Sequence, residues 1–187
     1  MFCVAVVATG VSLIVIGRLF NEFRRLNRGE RGELHVAEVL EGLRRFGYQP
    51  FHDLKRDGFN IDHVVVGPAG VFAIETKFRS GAGEISFRNG EGLFVDGRPE
   101  ENDCLNQAVA NAAEVRRMIK QDCNVHEWVD AVLVFVGDWR VRNEWQTTNA
   151  RVVTADRLVP YFVSQQPRLT RREIELIASH LGRSAKS

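Results

Sequence analysis

The sequence predicts an α/β domain in which helices pack on a central sheet. Three observations predict it. An amphipathic segment at residues 30–46 carries Val36, Val39, Leu40, Leu43 and Phe46 at helical spacing. Two β-rich runs follow, residues 60–66 and 71–78, separated by the tight reversal Gly67-Pro68-Ala69-Gly70. A second amphipathic segment then leads to residues 129–136, a near-continuous apolar run of the kind found in strands buried on both faces.

The elements are taken in chain order. Residues 1–17 hold no charged side chain and are rich in Val, Ile and Ala. Leu19 and Phe20 extend this run towards the roughly 20 residues that span a bilayer, because Arg18 can reach the headgroups. Arg18, Arg24, Arg25, Arg28 and Arg31 follow the run and no Lys or Arg precedes it. The positive-inside tendency then puts the N-terminus outside and the rest in the cytoplasm. A cleaved signal peptide would need a basic segment at the start, which is missing. The expected organisation is a transmembrane anchor at 1–20, a basic linker at 21–28, one domain at 29–181 and a tail at 182–187.

Gly47 stops the helix at 30–46, and residues 48–53 suit a first strand. Residues 55–58 form a polar turn before the two β-rich runs. Short strands are expected near 84–88 and 93–96, joined through Asn89-Gly90. Asn102 or Asp103 can cap a helix running to about residue 120, with Leu105, Ala108, Val109, Ala112, Val115 and Ile119 as its apolar stripe. Residues 151–153 suit another short strand. Thr170 and Glu173 form a capping box for a last helix with Ile174, Ile177 and Leu181 on one face.

The apolar content of 44% supplies a real core and excludes a disordered chain. The 25 basic and 24 acidic residues nearly cancel, which argues against a protein that coats nucleic acid and leaves room for an enzyme gripping a few phosphates. Cys3, Cys104 and Cys123 are odd in number and form no CxxC, against a disulfide framework or a zinc site. No P-loop, dinucleotide fingerprint or Ser-His-Asp pattern is present.

Strand alternation puts Val71, Ala73, Glu75 and Lys77 on one face of the second β-rich run. Phe72, Ile74, Thr76 and Phe78 share the other and read as the core face. Folding about the reversal brings Asp62, early in the preceding strand, near Glu75 and Lys77. Two carboxylates and an ammonium then meet at a sheet edge. Carboxylate oxygens are hard ligands suited to Mg²⁺. A metal there would make a bound water more acidic and polarise a phosphate, and a lysine beside it can orient or deprotonate that water or stabilise developing charge. A structural ion pair of Lys77 with Glu75 or Asp62 is the alternative reading. His63 should point to the opposite face as a packed histidine. Trp128, Trp139 and Trp145 suit base stacking or core packing.

Gly29-Glu30-Arg31-Gly32-Glu33, and then the block from Asn60-Ile61-Asp62-His63 through Gly67-Pro68-Ala69-Gly70 to Glu75-Thr76-Lys77, resemble the nuclease-related domain family of the PD-(D/E)xK nuclease superfamily. Residues 102–108, ending near Gln107, resemble its third block. The likeness is strong from about 29 to 122 and weaker through 129–136. It implies a restriction-endonuclease-like core, a mixed central sheet flanked by helices. By position it implies Asp62 and Glu75 as metal-binding acids, Lys77 as the catalytic lysine, Glu33 as the acid of the first helix and Gln107 as the polar residue of the second. Ile61 stands where the superfamily pattern has proline, and Asp103 where relatives carry one before the helix; neither change removes a reacting group. The expectation is a Mg²⁺- or Mn²⁺-dependent nuclease tethered to the cell membrane, cutting nucleic acid, DNA first, from the cytoplasmic side. The alternative is an inactive nuclease fold that binds nucleic acid or acts as a scaffold.

Overall fold

The computed structural model describes residues 29–56, 58–88, 91–100, 103–123, 127–142 and 150–184. The expected anchor and linker, at 1–28, lie outside the described residues, as does Trp145. No described helix is long and apolar enough to cross a membrane.

Helix α1 covers residues 29–41. It tightens into a 3-10 turn at Gly42–Phe46, where a single helix to residue 46 was expected. Gly47 ends it in the left-handed conformation, φ 85°, and its amide donates to the Arg44 carbonyl. Strands β1 (Gln49–Arg56), β2 (Phe59–Gly67) and β3 (Gly70–Arg88) follow as an antiparallel meander. Strand β1 runs further than expected and takes in Lys55 and Arg56. Strands β4 (Gly92–Val95) and β5 (Arg98–Pro99) fold back on the distal half of β3. Helix α2 (Cys104–Cys123) then leads to β6 (Val129–Arg142), and β7 (Arg151–Thr154) pairs with β6. Helices α3 (Leu158–Ser164) and α4 (Arg171–Ser184) close the described chain. Residues 182–184 of the expected tail thus belong to α4.

The sheet is mixed. Strands β1, β2 and β3 are antiparallel neighbours, whereas β3–β6 and β6–β7 are parallel. Residues 71–78 and 84–88 were expected as separate strands and are one. The reason is β6, which pairs along β3 from Val71↔Val129 to Ser86↔Arg142, with one irregularity between Phe78 and Ala82.

Both faces of this sheet are core. On one, Val36 and Leu40 of α1, Leu43 of the 3-10 turn and Phe162 of α3 pack on Phe72, Ile74 and Val134. On the other, Ala108, Val115 and Ile119 of α2 and Ile177 of α4 pack on Val71, Ala73 and Leu133. The expectation of a single core face on β3 is therefore corrected. Helices cover both sides, so Val71 and Ala73, on the face of Glu75, are as buried as Phe72. Helix α3 was not foreseen; it is only seven residues long and has no side-chain cap. The capping box of α4 forms as expected, with the Thr170 amide donating to Glu173 Oε2 at 2.8 Å and the Glu173 amide to Thr170 Oγ1 at 3.4 Å.

The β2–β3 reversal is held from outside. The amides of Arg168 and Leu169 donate to the Pro68 carbonyl at 2.7 and 3.0 Å, and Arg168 Nε donates to the Ala69 carbonyl at 2.6 Å. Gly70 has φ 124°, a conformation that a side chain resists. At Gly67 the constraint is space: a Cβ would lie 2.0 Å from Cδ1 of the Tyr48 ring. That ring is itself fixed, its hydroxyl donating to the Phe162 carbonyl at 3.0 Å. We expect Gly67→Ala to cost about 2 kcal/mol or more, in the range of overpacking a core. Urea denaturation of Gly67→Ala, Tyr48→Ala and the double variant checks the cause. The double variant should be less destabilised than the sum of the singles; simple additivity would remove Tyr48 from the explanation.

Candidate active site

The β2–β3 ladder runs from Gly67↔Gly70 to His63↔Ile74 and stops. Just beyond it, the Thr76 amide donates to Asp62 Oδ2 at 2.7 Å. A carboxylate thus takes the place of a ladder carbonyl, and β2 parts from β3. On the same strand, β4 joins only at Ile85↔Val95. Its turn residue Asp96, φ 48°, accepts from the Glu84 amide at 2.9 Å and donates its own amide to the Glu84 carbonyl at 2.8 Å. The middle of β3 therefore borders a split in the sheet, with an aspartate at each lip.

Glu75 and Lys77 lie in this split, on the face covered by α2. Glu75 is only 2% exposed. Its Oε1 accepts from Lys77 Nζ at 2.7 Å and its Oε2 from Asn111 Nδ2 at 2.8 Å. Lys77 Nζ also donates to Gln107 Oε1 at 3.0 Å. Gln107 and Asn111 are one turn apart on α2 and so share a helix face. Glu33 stands at the solvent-exposed rim, on the first turns of α1. The neighbouring Gly32 is buried against Phe78, where a Cβ would lie 3.1 Å from the Phe78 Cβ. That close approach sets the start of α1 beside β3.

The electrostatics are those of crowded acids. Burial first, then Glu75, pushes the Asp62 carboxyl up to about 7, against the pull of the Thr76 amide and Lys77. Burial also raises Glu75, although Lys77 and Asn111 oppose it. Glu33 is raised by partial burial and then by Asp62, Asp53 and Glu30. The arrangement holds negative charge that Lys77 only partly balances.

The fold brings Asp62, Glu75, Lys77 and Gln107 into one connected group. Glu33 makes no hydrogen bond to them in the described residues and couples to Asp62 through charge. Asn111 was not assigned a role in the sequence. Its signal was present: it lies three residues after Ala108 and four before Val115, so a polar side chain borders the apolar stripe of α2. It is 3% exposed. His63 is buried as expected, its Nδ1 2.9 Å from His52 Nδ1, and burial holds its pKa down near 3. His52 Nε2 reaches Glu41 Oε1 at 3.1 Å.

A mixed sheet between helices, broken beside two carboxylates and a lysine, defines an α/β protein with an acidic site at a strand split. The chain belongs to the nuclease-related domain family, whose model matches residues 28–136. No curated protein and no solved structure matches the chain. The match covers α1 to the middle of β6 and includes every residue of the site. It agrees with the span of the sequence resemblance and points to nuclease-like chemistry.

The raised Asp62 pKa has a consequence for stability. Between 3.8, its ordinary value, and about 7, the folded chain binds more protons than the unfolded one. Stability from this group is therefore fully present below that window and is lost as pH rises through it. Glu75 and Glu33 act in the same direction. Asp62→Asn keeps an oxygen for the Thr76 amide and removes the charge. With chelator present, we expect this variant to lose less stability from pH 4 to 8 and to melt a few degrees above wild type at pH 8. Parallel stability curves in urea denaturation across that range would rule out the buried charge at Asp62.

Proposed function

We propose that this protein is a metal-dependent nuclease with a restriction-endonuclease-like core, hydrolysing phosphodiester bonds of nucleic acid, DNA in the first instance. The observation that carries this reading is the pairing of the half-buried Asp62 with the buried Glu75, whose charge raises the Asp62 pKa, and the Lys77 ammonium 2.7 Å from Glu75. A structural ion pair needs one acid for one base. Here two acids with raised pKa values share one lysine, and perturbed groups of this kind mark functional sites.

The donor set suits a hard divalent cation such as Mg²⁺ or Mn²⁺. Asp62 and Glu75 would hold it, each offering carboxylate oxygen. Among the described residues no group of three or more His, Cys, Asp or Glu is arranged to hold a metal. When bound, the ion supplies charge to the phosphate and a more acidic water. The chain's own residues do the rest. Lys77 turns from Glu75 towards the scissile phosphate or the attacking water. Gln107 keeps the ammonium in reach, and Asn111 keeps Glu75 from rotating out of the site. Glu33 borders the approach from solvent.

The second reading is an inactive nuclease fold that binds nucleic acid or scaffolds. One observation favours it: both oxygens of Glu75 are already engaged, by Lys77 and Asn111. Cleavage and metal binding separate the two. We expect wild type to cleave DNA with Mg²⁺ or Mn²⁺ and to stop with chelator. Asp62→Ala should lose metal binding by calorimetry. Lys77→Ala should bind metal yet cleave at least about a hundredfold more slowly, the scale of losing a positioned acid–base or electrostatic group. Lys77→Arg should fail too, because a guanidinium keeps its proton. Absence of cleavage of plasmid, linear DNA and RNA with either ion would favour the scaffold.

The same reading places the domain in the cytoplasm on a single-pass anchor at the cell membrane. The uncharged run at 1–17 and the arginines after it support this. A cytoplasm-active reporter fused after Ser187 should be active and sediment with membranes. A soluble product lacking its N-terminus would refute the anchor.

A further inference from the structure

Helix α2 has a second flank. Gln107 and Asn111 face the acids. On the opposite side Val109, Ala112 and Arg116 line a cleft of about 470 Å³, closed by Trp128, Val129 and Ala131. The volume is that of a small-molecule pocket rather than of a groove for a folded partner. Its floor is made of small side chains, which leaves room for a flat ring. Its wall is the Trp128 indole, 57% exposed and the most exposed large apolar residue but one among the described residues. The Arg116 guanidinium lies over that indole, 4.6 Å from the ring centroid. Lys120 adds positive charge at the mouth, beside Arg117, which is paired with Glu114 at 2.7 Å. The acid in the lining, Glu127, is turned towards Arg168 at 3.8 Å.

We infer that this cleft is a binding site for single-stranded nucleic acid, one base stacking on Trp128 where the Arg116 guanidinium now lies, and the adjoining phosphates meeting the displaced Arg116 and Lys120. Planar aromatic wall, shallow apolar floor and a positive rim are the combination that grips a base and its backbone together. An aliphatic ligand would not use the indole face. An acidic peptide would use the cations but has no flat ring for the slot. The inference takes only its ligand class from the nuclease reading. The cleft lies across α2 from the acids, so a strand held there is not at the reacting position. Its role is to hold a flanking or displaced strand.

The test measures binding without cleavage. A short fluorescent pyrimidine oligonucleotide is titrated into the full-length chain in chelator, by anisotropy, at several salt concentrations. Trp128→Ala should weaken binding by roughly tenfold, the scale of one lost base–aromatic stack, and Trp128→Phe should keep most of it. Lys120→Glu should weaken binding and flatten its salt dependence. Equal melting temperatures show that the variants are folded; Trp128 is largely exposed, so its loss should not unfold the domain. Unchanged affinity in Trp128→Ala overturns the inference. So does an acidic peptide that binds in a Trp128-dependent manner while the oligonucleotide does not. Duplex cleavage with Mg²⁺ is measured on the same preparations. If wild type cleaves but shows no Trp128-dependent binding, the cleft fails and the nuclease reading stands. Trp128-dependent binding without any cleavage supports the cleft and counts against the nuclease.

Discussion

The hydrogen bond from the Thr76 amide to Asp62 is the contact on which the site depends. A strand inside a sheet must pair its amides, and a buried amide left without a partner is costly. At Thr76 the neighbouring strand does not supply a carbonyl, because the β2–β3 ladder ends at His63↔Ile74. Asp62 supplies a carboxylate oxygen instead. One interaction therefore does two things. It satisfies β3, and it lets β2 leave, so that Glu75 and Lys77 face a split rather than a third strand. Asp96 repeats the device at Glu84, where β4 joins. Between these two aspartates β3 keeps its pairing with β6 along the other edge, with one irregularity between Phe78 and Ala82.

The split solves a problem of charge. A carboxylate as buried as Glu75 would be strongly destabilising without partners. Lys77 and Asn111 occupy its two oxygens, and Gln107 takes a further donor of Lys77. The network is satisfied at Glu75 and open at Asp62, where one oxygen holds Thr76 and the pKa rises to about 7. A chain selected for stability alone would gain by replacing Asp62 with a neutral acceptor of the same shape. Under the proposed function, an acid there serves as a ligand for positive charge that is not part of the chain.

The sequence reads well where a residue's role follows from its own periodicity. Asp62, Glu75 and Lys77 converge because strand alternation and a four-residue reversal fix their geometry, and both are local. The capping box of α4 and the stop at Gly47 are local too. What escaped depends on distant parts of the chain. The continuity of β3 comes from β6, more than 40 positions later, and the double-sided core from α1 and α3 on one face and α2 and α4 on the other. Helix α3 is too short to show a period; its place is set by Phe162, which packs edge-on to Tyr48 and Phe72. Asn111 was legible as a polar residue bordering an apolar stripe, but its meaning required knowing that Glu75 lies beneath it. The Gly67 constraint was legible as a turn residue, whereas the Tyr48 ring that enforces it was not.

Helix α2 ties these features together. Twenty residues make a rod about 30 Å long. Gln107, Asn111 and Glu114 recur at four and three residues, so one flank carries them all, the last paired with Arg56 of β1 at 3.3 Å. Arg116 and Lys120 are offset by about half a turn and belong to the cleft of Trp128. Between the flanks run Ala108, Ala112, Val115 and Ile119, packed on the sheet. A helix anchored along that stripe cannot rotate to adjust one flank without moving the other. The spacing between the acids and Arg116 and Lys120 is thus set by core packing, and a strand that engaged both flanks would meet them in a register decided when α2 docks on β3 and β6.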